Sequence, residues 1–277
     1  MKVLVTGAHG QLERDLAPCL KQAGQQVNFS IREQMAFSFP SQVAEVVDKL
    51  RPRRVVNCAV FSKLDQAVSE VECAFRINRD SVAELARATA AYGGGILHLS
   101  TDYIFDGRQS TPYCEDDMAT PINVYGRSRW EGDRCQLKHL PEEAEIHPYW
   151  FYRSNSHNFA RTILRLALEK ESVQVVDDQM GSPTWTKDLS NAITDLVKNG
   201  HRGGFHFTNE GMASWHEMTV AIEEVASRLG FTANVESLIP VTTEDFSLPA
   251  KRPHFSLLSK RKIRPLLSDP ISIGANA

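Results

Sequence analysis

KVLVTGAHGQLE, residues 2–13, reads as a buried strand that breaks at two glycines and passes straight into an amphipathic helix. At Gly7 and Gly10 the missing side chains let the backbone turn sharply and approach a pyrophosphate. The unpaired N–H groups and positive dipole of the helix amino terminus favour that anion. A glycine pair alone carries little; between a strand and a helix at the head of an alternating chain it points to a dinucleotide-binding turn. Glu13 stands at the third position of the fingerprint, where a glycine lets helix and strand pack closely. It brings bulk and negative charge towards the phosphates, so weaker binding or a shifted helix is expected. About twenty residues past the turn, NAD sites offer an acid to the ribose hydroxyls. Here the second strand runs into Arg32, which suits a 2′-phosphate and favours NADPH over NADH.

Outward from this turn, short apolar runs alternate with helical patterns, the order of a parallel sheet covered on both faces. Strands are predicted at 2–6, 26–31, 54–59 and 96–100, and helices at 11–23, at 41–50 behind Pro40, and at 70–92, where Gly93, Gly94 and Gly95 stop the last. Pro18 falls inside the first helix and is expected to kink or shorten it. A polar loop with Gly107, Pro112 and Pro121 follows, then a helix over 124–138, and the pattern is weakest over 141–152. Later helices are predicted at 158–170, 187–199 and 214–229, with strands at 173–176 and 205–208. The expected class is α/β: a Rossmann-type doubly wound parallel sheet over residues 1–149, with a smaller, mainly substrate-binding part over 150–277, partly interleaved with the sheet. No internal repeat or low-complexity segment interrupts it.

A chain of 277 residues accommodates one large or two intimately packed domains. Its 42% hydrophobic and 23% charged residues are those of an ordinary globular protein and argue against disorder. A net charge of -3 with interspersed signs leaves no broad basic face, so nucleic acid is not an expected partner. The start MKVLVTG enters a strand without the apolar stretch and cleavage site of a signal peptide. No apolar run reaches the roughly eighteen residues of a membrane span; a soluble, cytoplasmic protein without membrane contact is expected. Cys19, Cys58, Cys73, Cys114 and Cys135 are odd in number and scattered, which argues against a disulfide framework and a zinc site. The nine histidines form no HxxxH or HxH spacing, and no metal site is proposed from spacing.

Ser100, Thr101, Asp102 and Tyr103 follow the fourth predicted strand at the carboxyl edge of the sheet, where open α/β folds place their ligands. Tyr125 comes one loop later at the start of a helix, with Arg129 one turn beyond on the same face. A tyrosine so placed can donate a proton to a carbonyl oxygen as hydride arrives. It needs a nearby cation to lower its pKa and a hydroxyl such as that of Thr101 to help hold the oxygen. The pair is YxxxR, not YxxxK, and arginine supplies the charge on a larger, geometrically fixed fork.

Eight segments carry a resemblance: VTGAHGQL (5–12), VVNCA (55–59), LDQAVSEVECAFRIN (64–78), STDYIFDG (100–107), PINVYGRS (121–128), NFARTILRLALEK (158–170), VVDDQMGSPT (175–184) and KRPHFSLL (251–258). In order, over nearly the whole chain, they resemble the dTDP-4-dehydrorhamnose reductases, extended short-chain reductases of rhamnose biosynthesis. STDYxFDG together with DDQxGSPT is far more specific than the glycine turn, because the second lies in the substrate half. The resemblance implies reduction of the C4 keto group of dTDP-4-dehydro-L-rhamnose to dTDP-L-rhamnose by NADPH, or by NADH. It makes Tyr125 the proton donor, Thr101 the hydroxyl that tunes it, and Arg129 the occupant of the lysine's place. Gly10, Gln11 and Leu12 match its pyrophosphate turn, and Val60, Phe61 and Ser62 its cofactor-lining segment. Thr101 and Asp102 match sugar contacts, and Trp150 an aromatic wall of the substrate pocket. Magnesium is associated with the family, without a ligand set visible here. The implied partner is a small-molecule dTDP-sugar, with a homodimer as the assembly left open.

The chain departs from the family's pattern at more than Glu13 and Arg129. Where the family runs an apolar strand through Arg-Thr-Ser into the tryptophan, this chain has Glu145, Ile146, His147, Pro148 and Tyr149. Pro148 would remove a ladder donor there. Two other readings therefore stay open. One is a noncatalytic nucleotide-binding subunit, since the regulatory subunit of methionine adenosyltransferase resembles these reductases. The other is a degraded reductase with neither role.

Overall fold

A computed structural model describes residues 1–7, 10–30, 34–153 and 158–273. The amino-terminal half runs β1 (Lys2–Thr6), α1 (Glu13–Gln22), β2 (Gln26–Ser30), α2 (Pro40–Leu50), β3 (Arg54–Asn57), α3 (Leu64–Ser69), α4 (Val71–Phe75), α5 (Ser81–Ala90), β4 (Gly95–Leu99), α6 (Val124–His139) and β5 (Ala144–His147). The remainder runs β6 (Phe151–Tyr152), α7 (Phe159–Glu169), β7 (Ser172–Val176), β8 (Met180–Gly181), β9 (Thr184–Trp185), α8 (Thr186–Asn199), β10 (Gly204–His206), β11 (Ala213–Ser214), α9 (Trp215–Arg228) and β12 (Ser237–Val241).

Six strands pair in parallel in the order β2-β1-β3-β4-β5-β10. Their side chains alternate between two apolar layers, as the pleat requires. Val3, Val5, Val56, Leu97 and Leu99 face one way and pack with Leu16 and Leu20 of α1 and Leu189, Ile193 and Leu196 of α8. Leu4, Val55 and Ile96 face the other, against Val43 and Val47 of α2 and Leu85 and Ala88 of α5. The carboxyl-terminal half thus contributes β10 to the edge of the sheet and α8 to one of its faces. Its other elements form short ladders, β7 with β12, β8 with β11 and β6 with β9, beside α7 and α9. The parallel sheet expected from the alternating runs is the one observed.

Three local expectations need correction. The helix predicted over 70–92 runs on from Val71 to Ala90 but is not regular: it passes through a π turn at Arg76–Asp80, where Asn78 turns inward to bind backbone and Ser128. Pro148 removes no ladder donor: β5 ends at His147, so the proline lies just beyond the strand. Helix α1 runs on through Pro18, which projects to solvent, and starts at Glu13, two residues later than predicted.

Helix α9 carries a complete capping box. The Ser214 hydroxyl accepts from the Glu217 amide at 2.9 Å, and the Glu217 carboxylate accepts from the Ser214 amide at 2.8 Å. Ser214→Ala is expected to destabilise the protein by about 1 kcal/mol, read as a lower denaturation midpoint in urea with unchanged slope.

Candidate active site

The site lies where the strand order reverses. From β1 the chain steps to β2 on one side and then crosses to β3 on the other, so the carboxyl ends of β1 and β3 open a crevice. Gly7 occupies that end with φ +71°, and a Cβ there would lie 2.8 Å from the Cys58 carbonyl group and the Ala59 amide nitrogen. Only glycine combines this backbone conformation with so close an approach. The Gly10 amide donates to the Gly7 carbonyl at 3.1 Å, and α1 then begins behind Leu12 with no side chain capping it among the described residues. Leu12 has no polar side chain to claim the first N–H groups of the helix, which point towards the turn as an anion site requires. Opposite, the segment after β3 is held by Asn78, whose Oδ1 accepts from the Phe61 amide at 2.8 Å while its Nδ2 donates to the Phe61 carbonyl at 3.1 Å.

Two cavities meet at Gly7, Val60 and Ser62. One, about 390 Å³, extends past Phe61 towards Ser30 and Phe37. The other, about 340 Å³, extends over Gly10, Gln11, Leu12 and Glu13 to Tyr125 and Arg129. The trough gathers nine of the residues singled out in the sequence as cofactor contacts: Gly7, Gly10, Gln11, Leu12, Val60, Phe61, Ser62, Tyr125 and Arg129. Arg32 lies outside the described residues. A larger cavity of about 690 Å³ between α7 and α9 is almost wholly apolar and includes neither Tyr125 nor Arg129.

Helix α6 delivers Tyr125. Asn123 caps it by accepting from the Gly126 amide at 2.7 Å. Gly126 lets the helix press onto the Tyr103 carbonyl, where any Cβ would collide with backbone. Tyr125 is 8% exposed and packs edge-on to Tyr103 at 5.6 Å. Burial raises the pKa of its hydroxyl above the ordinary tyrosine value, while Arg129 and a hydrogen bond with Thr101 pull it back. The group therefore holds its proton at neutral pH beside two stabilisers of the phenolate.

Arg129 is 2% exposed. Its Nη2 donates to the Leu99 carbonyl, while Nε and Nη1 have no partner among the described residues. Buried donors of this kind call for an acceptor, and with the α1 amino terminus and the Gly7 cradle they fit a dinucleotide. Glu13 is half-buried and lines the same cavity. The Cys58 thiol, pushed up to about 12 by burial, with Arg129 opposing and Glu13 reinforcing, stays neutral. Among the described residues no group of three or more His, Cys, Asp or Glu side chains is placed to hold a metal ion, so the magnesium associated with the family finds no such set here.

Asp102 is 1% exposed, accepts from the Thr101 hydroxyl at 3.1 Å, and is pushed up from 3.8 to about 8 by burial, against the opposing pull of the Ser256 and Thr101 hydroxyls. With the folded value above the unfolded one, the native state keeps a proton that the unfolded chain releases. The stability that Asp102 contributes is then full below about pH 4 and is lost as pH rises through about 8. Asp102→Asn is expected to remove up to about one proton from that slope, measured by urea unfolding at a series of pH values; an unchanged slope would contradict the assignment. Trp150 is buried with φ +44° and stacks on Trp215 at 3.5 Å and 20°. The structure thus brings Thr101 to Tyr125 and buries Asp102 and Trp150 behind that side of the site.

The family model described as the RmlD substrate binding domain matches residues 1–272. The chain belongs to this family. The dTDP-4-dehydrorhamnose reductase of Burkholderia thailandensis is 34% identical over 275 residues, covering 95% of this chain and 92% of the relative. The Escherichia coli enzyme of the same name is 32% identical over 272 residues, covering 95% and 91%. Among solved structures, the dTDP-4-dehydrorhamnose reductase of Clostridium acetobutylicum superposes with a TM-score of 0.91 at 31% identity over 100% of this chain and 96% of its own. That of Bacillus anthracis, in complex with NADP, also gives 0.91 at 31%, over 100% and 97%. Within this RmlD family chain, sequence reading missed Asn78, which supports the trough from a π turn, and Asp133, one turn beyond Arg129. Both lie in or beside matched segments, but neither is marked there by a spacing that carries chemistry.

Proposed function

We propose that the chain reduces the C4 keto group of dTDP-4-dehydro-L-rhamnose with NADPH, giving dTDP-L-rhamnose, with Tyr125 as the proton donor. The carrying observation is the buried Tyr125 side chain, set with Arg129 at the end of the glycine-turn trough, its hydroxyl under the influence of Thr101 and Arg129. The activity named for the Burkholderia and Escherichia relatives and the NADP of the Bacillus structure support it.

NADPH, when bound, supplies the hydride. Gly7, Gly10, Gln11 and Leu12 receive the pyrophosphate at the head of α1, Val60, Phe61 and Ser62 line the opposite wall, and Arg32 is assigned to the 2′-phosphate. Arg129 offers the N–H groups of its two unpartnered nitrogens, Nε and Nη1, to the ligand and its charge to the tyrosine. Thr101 orients the sugar's carbonyl oxygen and Tyr125 gives up its proton to that oxygen, its phenolate being stabilised by Arg129 and Thr101. Asp102, neutral at pH 7, and Trp150 are assigned to the sugar. Residues 1–149 form the cofactor unit in this reading, and residues 150–277 supply most of the substrate side.

Glu13 works against the phosphates. Glu13→Gln is expected to tighten NADPH by about three- to tenfold, less at high salt, read by titrating cofactor fluorescence. Mixing the protein, NADPH and the 4-keto sugar nucleotide tests the proposed function through loss of reduced-nicotinamide absorbance. Turnover is expected. No turnover by the chain and none by a Glu13→Gly, Arg129→Lys double variant would overturn the reading.

A further inference from the structure

Behind Arg129 lies a buried polar chain that no step above uses. The Thr6 hydroxyl donates to Asn57 Oδ1 at 2.5 Å, and that oxygen also accepts from the Ala59 amide at 3.3 Å. The Asn57 NH₂ is thereby left to donate to His98 Nδ1 at 2.8 Å, which places the imidazole proton on Nε2. His98 Nε2 lies 3.4 Å from Asp133 Oδ1, an approach short of a hydrogen bond, and the Ser100 hydroxyl donates to Asp133 Oδ2 at 2.5 Å. All five residues are buried. The chain starts at the residue before Gly7, crosses β3 and β4, and ends on α6.

Asp133 is four residues beyond Arg129 and shares its helix face. Arg129 has only one protein anchor among the described residues, the Leu99 carbonyl. A guanidinium that deep needs a counter-charge, because an unpaired buried charge is strongly disfavoured. Asp133, one helical turn away, is in electrostatic reach of it without a direct hydrogen bond to Nε or Nη1. Its carboxyl lies below the ordinary aspartate value: burial pushes it up, and His98, His147 and Arg129 outweigh that. Glu145 of β5 and Tyr125 of α6 are also in electrostatic reach of it.

We propose that Asp133, held by His98 and Ser100, is the positioning residue for Arg129: its carboxylate is the fixed counter-charge that keeps the guanidinium in the trough with Nε and Nη1 turned towards the ligand. The relay also ties the strand end that leads into the phosphate turn to the helix that carries Tyr125. The inference rests on the reading of the trough as an NADPH site.

The test is a double-mutant cycle on the full chain, with NADPH affinity read by fluorescence titration and folding by far-UV circular dichroism. Asp133→Asn is expected to weaken NADPH by about tenfold in the native background and by less than about twofold in an Arg129→Met background. Asp133→Glu, which restores the charge, is expected to recover affinity to within about threefold of the native chain. Equal losses in the two backgrounds, or no loss, overturn the proposal, because a merely structural role would act without Arg129. If Asp133→Asn does not fold, His98→Gln carries the same cycle: a loss that vanishes with Arg129→Met supports the proposal, and additive losses overturn it. A native chain that binds no NADPH refutes the reading of the trough itself, an outcome distinct from additive losses in a chain that binds it.

Discussion

Tyr125→Phe is expected to lower kcat by about 10²- to 10⁴-fold while NADPH affinity stays within about threefold. The substitution removes one hydroxyl from a residue that is already buried against Tyr103, so ring packing and the start of α6 survive. What disappears, in the proposed reaction, is the proton that meets the developing alkoxide. The hydroxyl is neutral because burial raises its pKa, and it can release that proton because Arg129 and Thr101 stand ready for the phenolate. Steady-state kinetics with the 4-keto sugar nucleotide, paired with cofactor titration, separates the two quantities. A loss of binding without a loss of kcat would place Tyr125 in the cofactor wall alone.

Gly132→Ala is expected to destabilise the protein by about 3 kcal/mol, or roughly 5 °C in Tm for a chain of this size. A Cβ on Gly132 would fall well inside contact distance of the Asn78 carbonyl and close to the Arg79 backbone. Neither neighbour is a side chain that can swing away. Asn78 also holds the Phe61 backbone, so the shift that relieves the clash moves the wall of the trough, and NADPH binding should weaken together with Tm. Calorimetry and fluorescence titration on the same variant check both. An alanine variant with native Tm would mean that α6 does not approach the π turn this closely.

The parts of this molecule legible in its sequence are those governed by short-range pattern. Lys2–Thr6 announces itself by an apolar run and Gly7 by a conformation and an approach that exclude side chains. Tyr125 and Arg129 come together because a helix places residues four apart on one face. The π turn at Arg76–Asp80 was not legible, since its cause is tertiary: Asn78 is claimed by Phe61 and by Ser128, distant in sequence. For the same reason 141–152 resisted assignment. β5 is only four residues long, all of them buried, and two of these are Glu145 and His147, which look like surface positions until the sheet gives them neighbours. The relay from Thr6 to Asp133 joins four elements through side chains with no common spacing. Arg129 could be found by its distance from Tyr125, but its two unpartnered donors appear only once Leu99 is seen to take the third.

The most direct measurement is to run the reaction with NADPH deuterated at the transferred position of the nicotinamide and to locate the label in the sugar nucleotide by mass spectrometry and NMR. One deuterium at C4 of the product, absent over the same period with Tyr125→Phe, is the expected result. Unlabelled product, or label at any carbon other than C4, would contradict hydride delivery to the C4 carbonyl at this site.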